Sequence, residues 1–144
     1  MRCVIACAAL LAAGCTAISP QPAPAPESAP APVPVSGSVA VAGLVEGART
    51  DAGAGRLAHA AASLERALRI EPRNPRLWQE LARVRLKQGE YAQAESTAAR
   101  SNSWAGGDNG LRAENWRLIA EARTARGDGK GARAAIERSH QFER

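Results

Sequence analysis

Residues 75–101, PRLWQELARVRLKQGEYAQAESTAARS, decide the fold of this chain. The stretch reads as two helices broken at Gly89, the residue type that tolerates the positive φ needed to stop the first of them. Asn74 and Pro75 suit its start, one as cap and the other as first-turn residue. Trp78 and Leu81 are large, while Ala82, Ala94 and Ser101 are small; small residues let paired helices approach and large ones fill the space beside them. Gly55 stands 34 residues before Gly89 and is followed by Ala60 and Ala67, as Gly89 is by Ala94 and Ser101. Gly127 repeats the pattern with Ala132 and Ser139, after an interval stretched by a few residues. Self-similarity at such a period is the signature of a helical array. The composition agrees: Ala, Arg, Leu and Glu dominate, β-branched residues are scarce, and aromatics make up 3%.

On these residues the chain resembles the tetratricopeptide repeat family, whose signature asks for large, large, small, turn, aromatic, small and small where Trp78, Leu81, Ala82, Gly89, Tyr91, Ala94 and Ser101 stand. Ala67 and Pro72 match the close of a repeat. A weaker first copy runs through Leu44, Ala48, Gly55, Ala60 and Leu64, with Gly47 where a large residue is expected. The third copy has Trp116, Ile119, Ala120, Gly127, Ala132 and Ile136, with Gly129 replacing the aromatic after the turn. The resemblance implies an all-α fold: a short solenoid of about three helix-turn-helix repeats, hence about six helices, over 41–74, 75–108 and 113–144 within a domain spanning 39–144. Three repeats are the minimum that buries a continuous core. No further polar helix follows Phe142, so the last apolar face is left to Arg133 and Arg138, or to a partner. Gly106, Gly107, Asp108, Asn109 and Gly110 read as a loop where the first repeat has its compact turn at residues 71–74. Trp104 falls in one column with Ile70 and Phe142, and has two readings: a core plug, or an exposed anchor for a partner.

The opening run MRCVIACAALLAAGC reads as an address rather than a fold element. Arg2 precedes an apolar stretch at residues 4–13 that is too short to span a bilayer, and small residues lead into Cys15. Ala12, Ala13, Gly14 and Cys15 resemble the lipobox of bacterial lipoproteins, with Ala12 where Leu is usual. The resemblance implies that residues 1–14 are removed as a signal peptide and that Cys15 is acylated, palmitate being the chain type to look for. Cys3 and Cys7 leave with the signal, so Cys15 has no disulfide partner. Three acyl chains exceed the two lipid signals needed for stable anchoring. Thr16, rather than Asp, points to the periplasmic face of the outer membrane. From 15 to 38 the chain reads as a lipidated cysteine and a disordered Pro/Ala-rich tether; between Pro20 and Pro34 prolines alternate with small residues and Glu27 is the one charge. Such a segment favours extended polyproline II, with a reach of roughly 60 Å over about twenty residues.

Catalytic chemistry finds little support. The two histidines are His59 and His140, and no phosphate loop, metal spacing or nucleophile motif is present. The expectation is a protein that is not an enzyme, without catalytic or metal-binding residues, cofactor or small-molecule substrate. Pairs such as Glu80 with Arg83, or Glu137 with Lys130, read as helix-surface charge. Binding is better supported. Spacings of three and four put Arg76, Gln79, Arg83 and Lys87 on one helix face. Family geometry implies that this face lines the concave groove, with Arg49 and Arg117 beside it on neighbouring helices. Such a groove suits an acidic peptide, an acidic loop or a free carboxylate. The alternative is a solvated basic face in a chain of net charge +5. Nucleic acid is disfavoured by compartment and by the lack of interleaved aromatics.

Lipid anchor, tether and short repeat domain together are similar to the outer-membrane lipoproteins of pseudomonads and their relatives that activate a bifunctional penicillin-binding protein. The blocks ASLERALRIEPRNPRLWQELARVRLKQGEYAQAES and NWRLIAEAR carry that comparison. It implies a protein partner, a penicillin-binding protein, whose peptidoglycan synthesis the domain stimulates. A pilotin-type or general scaffold lipoprotein for a secretion or pilus complex is the other class.

Overall fold

The computed structural model describes residues 37–144; the signal segment, Cys15 and all but the last residues of the tether lie outside the described residues. Within the described residues six α-helices follow one another: α1 (Val39–Gly53), α2 (Leu57–Ile70), α3 (Pro75–Lys87), α4 (Tyr91–Trp104), α5 (Asn109–Ala125) and α6 (Gly129–Gln141). Each packs on the next, and α3 also reaches α5. The fold is the expected all-α array of three helix pairs.

Each pair turns by the same chemistry. Gly55, Gly89 and Gly127 have φ of 76, 79 and 82°. Behind each, a backbone N–H reaches back to the carbonyl five residues earlier: Arg56 to Asp51 at 2.8 Å, Glu90 to Arg85 at 2.9 Å and Asp128 to Arg123 at 2.9 Å. Three helix ends that would leave carbonyls unpaired are thereby closed. Starts are more varied. The Asn74 side chain accepts from the N–H groups of Arg76 and Leu77, with Pro75 in the first helical position. Asp108 accepts from Leu111 N–H at 2.9 Å, and Asp128 from Gly131 N–H at 2.8 Å.

The small-residue column is buried as the close approach of paired helices requires: Ala60, Ala67, Ala94, Ser101, Ala132 and Ser139 all lie inside. Two apolar clusters form around it. One unites Val41, Val45, Leu64, Leu68, Leu77, Leu81 and Val84 from α1, α2 and α3. The other is made of Ala82, Ala98, Ile119, Ala120 and Ala135, with Trp116 and Leu118 packed against it. In the first repeat Val41 and Val45 supply bulk, and Gly47 is exposed.

Two expectations about the second junction change. The segment after Trp104 is no longer than its counterpart: residues 71–74 join α2 to α3 and residues 105–108 join α4 to α5. The extra residues enter the helix instead, since α5 has 17 residues where α3 has 13. Asn109 and Gly110, read as loop, begin α5 because the Asp108 carboxylate caps it. Trp104 is not a core plug. It is 42% exposed and its column-mate Ile70 53% exposed, while Arg73 lies over the indole at 5.3 Å.

At the C-terminal end, Arg138 lies over Trp116 at 5.5 Å, and Arg112 over Phe142 at 5.5 Å. Glu143 folds back to pair with Arg117 and with His140. The tail thus covers part of the last repeat, although Ile136 remains exposed.

Candidate functional site

The first helix of every pair faces one groove, an open cavity of about 440 Å³ lined from α1, α3 and α5, with Leu64 of α2 at its base. Its floor is apolar: Val45, Ala48, Ala52, Leu64, Val84, Leu86 and Leu118. Charges stand around the floor, and here the cavity is less basic than the arginine stripe alone suggests. Arg49, Arg83 and Lys87 line it, but so do Glu80 and Glu121.

The arginines of the stripe are already engaged. Arg49 pairs with Glu80 at 3.1 Å, Arg83 with Glu114 at 2.6 Å and Arg76 with Asp108 at 2.8 Å. Gln79 is buried, at 5% exposure, where its amide donates to Glu114 at 3.2 Å. Arg76, Gln79 and Arg117 lie outside the cavity lining, and Arg117 is held by Glu143. Among the described residues Lys87 makes no ion pair. Of the six residues expected to line a groove, the fold therefore gathers Arg49, Arg83 and Lys87 around one cavity. Glu80 does not pair with Arg83 within its own helix, as read from the sequence, but with Arg49 of α1, the first helix of the preceding pair.

These pairs form a ladder. Arg49 and Arg83 recur at the repeat interval, and each reaches a glutamate 31 residues on in the next first helix. Arg117 pairs instead with Glu143 of the tail. The signal was present in the sequence, because Glu80 and Glu114 share the spacing of the arginines. Only the register of one helix against the next turns that spacing into contact. Solvent-exposed pairs of this kind contribute little, typically below about 1 kcal/mol each. An acidic ligand can therefore take over a guanidinium at modest cost, but it meets Glu80, Glu114 and Glu121 as it does so.

Among the described residues no group of three or more His, Cys, Asp or Glu side chains is placed to hold a metal ion. No helix among them is long and apolar enough to cross a membrane.

Comparison with known proteins agrees with the helix-pair fold. A tetratricopeptide repeat model matches residues 52–113, from the end of α1 into α5. The globular C-terminal domain of LpoP from P. aeruginosa is 46% identical, with a TM-score of 0.70, over 72% of this chain and 97% of that one. The chain belongs to the tetratricopeptide repeat family. A comparison with curated proteins returned no match. The third tetratricopeptide repeat lies largely beyond residues 52–113, yet its Gly127 stop and its buried Ala132 and Ser139 reproduce the geometry of the other two.

Proposed function

We propose that the chain is a lipid-anchored periplasmic interaction module of the outer membrane that stimulates a bifunctional penicillin-binding protein. The observation that carries this reading is the 46% identity with the LpoP C-terminal domain across nearly all of that domain. The resemblance of its repeat blocks to lipoprotein activators of such synthases points the same way, as does the Cys15 lipobox followed by a Pro/Ala tether. In this reading Cys15 carries the acyl chains and the tether lets the repeats reach a membrane-bound synthase. The groove formed by α1, α3 and α5 receives an acidic segment of the partner, with Arg49, Arg83 and Lys87 around an apolar floor. Arg76, Gln79 and Arg117 support it from outside the cavity.

The test is the rate of glycan polymerisation by the purified bifunctional synthase of the same cell, with and without this chain. A rise is expected; no change in rate together with co-purification of a secretin subunit overturns the reading in favour of a pilotin. Within the groove, Lys87→Glu is the cleanest probe because it disturbs no ion pair among the described residues. It is expected to weaken synthase binding by about tenfold. Arg83→Glu with Lys87→Glu weakens it further, provided circular dichroism stays near wild type, since Arg83→Glu also opposes Glu114. Palmitate labelling tests the anchor: Cys15→Ala is expected to abolish it.

A further inference from the structure

A second cavity, of about 330 Å³, opens between α2 and α3 and shares no lining residue with the groove. Leu68, Leu81 and Trp78 make its apolar walls, Arg69 stands at it, and Glu65 and Arg85, paired at 3.3 Å, complete its lining. Trp78 is held in place from two sides: its indole N–H donates to the Pro72 carbonyl at 2.8 Å, and the Arg100 guanidinium lies over its ring at 5.1 Å. Across the same turn, Arg73 lies over the half-exposed Trp104. Cavity, Trp78, turn and Trp104 are thus one continuous surface.

The charge on this surface differs from that in the groove. Arg69, Arg73 and Arg100 make no ion pair among the described residues, whereas Arg49, Arg83 and Arg117 are each bound to a carboxylate. Guanidiniums stacked on indoles keep their charge and leave their N–H edges free to bind carboxylates. Trp and Arg are the residues that most often carry binding energy at interfaces.

We propose that this surface is a second docking face, for an acidic segment of a partner protein that places one apolar side chain between α2 and α3 while its carboxylates bridge Arg69, Arg73 and Arg100. Charge complementarity selects that occupant. The inference does not depend on which protein the groove receives.

The experiment pans random displayed peptides against the full-length chain in detergent micelles, then measures the affinity of the enriched peptides for single variants. Enriched sequences are expected to be acidic and to contain at least one Leu, Ile or Phe. Their affinity is expected to fall by about tenfold with Arg69→Glu and with Trp104→Ala, and to be unchanged by Lys130→Glu. All three positions are exposed, and circular dichroism verifies that each variant is folded. Absence of enrichment, enriched peptides without acidic excess, or losses confined to Lys87→Glu overturn the proposal. So does Trp104-dependent sedimentation of the Cys15→Ala protein with phosphatidylethanolamine and phosphatidylglycerol vesicles, which would assign the face to lipid.

Discussion

The two halves of the repeat domain are held together by different physics. In the first half, α1 to α3 enclose Val and Leu side chains whose burial each contributes about 1.5–3 kcal/mol without requiring any particular direction. In the second half the apolar cluster is mostly alanine, which offers close approach but little area. Directional contacts make up the difference. The Ser101 hydroxyl donates to the Pro75 carbonyl at 2.7 Å and accepts from the Asn115 amide at 2.7 Å; that amide also donates to Asn102 Oδ1 at 3.0 Å. Glu95 of α4 accepts from Arg123 of α5 at 2.7 Å, and its other oxygen pairs with Arg126 at 3.0 Å. Arg123 in turn donates to the Gly131 carbonyl of α6 at 3.2 Å, so three helices meet at one guanidinium. A shared repeat pattern therefore specifies where helices touch, and leaves open whether area or hydrogen bonding holds them.

The difference can be broken at three points. The largest effect is expected from Leu77→Ala, which opens a cavity in the aliphatic cluster at a fully buried position and should cost about 2–5 kcal/mol. Denaturant unfolding reads this directly. A loss below about 1 kcal/mol would mean that the first half does not depend on area. Next comes Asn115→Ala, which removes the donor to Ser101 and Asn102 and is expected to cost about 1–3 kcal/mol. The value should fall at the lower end, since Asn115 Oδ1 is itself buried without a partner among the described residues. Hydrogen exchange is expected to rise in α4 and α5 and to stay near wild type in α1 and α2. The smallest change is expected from Glu95→Gln, at about 1 kcal/mol for a partly exposed, multiply bonded carboxylate. This loss should shrink at high salt, whereas that of Leu77→Ala should not; equal salt dependence in both would erase the comparison.

Much of this was legible because it depends on residue type at fixed spacing. The glycine stops, the Asn74–Pro75 start and the buried small column follow from φ tolerance, capping and side-chain volume, none of which requires knowledge of distant parts of the chain. Ser101 was legible as a small residue but not as the centre of a hydrogen-bond chain, because its partners Pro75 and Asn115 meet it only across two helix contacts. The stretched interval before Gly127 showed that residues had been added. It did not show that they lengthen α5, since whether Asn109 and Gly110 are loop or helix turns on the single cap made by Asp108.

The sequence by itself determined the all-α array, the three pairs and the face on which Arg76, Gln79, Arg83 and Lys87 begin. Those follow from a period that repeats within the chain and from local backbone chemistry. Tertiary structure alone decided what that face is electrostatically. It set Glu80 against Arg49 and Glu114 against Arg83, buried Gln79, and left Lys87 and the Trp78–Arg100 and Trp104–Arg73 stacks with charge to offer. The physical reason is range. Secondary structure answers to neighbours three and four residues away, while the net charge of a surface depends on which side chains an inter-helix register brings within about 4 Å.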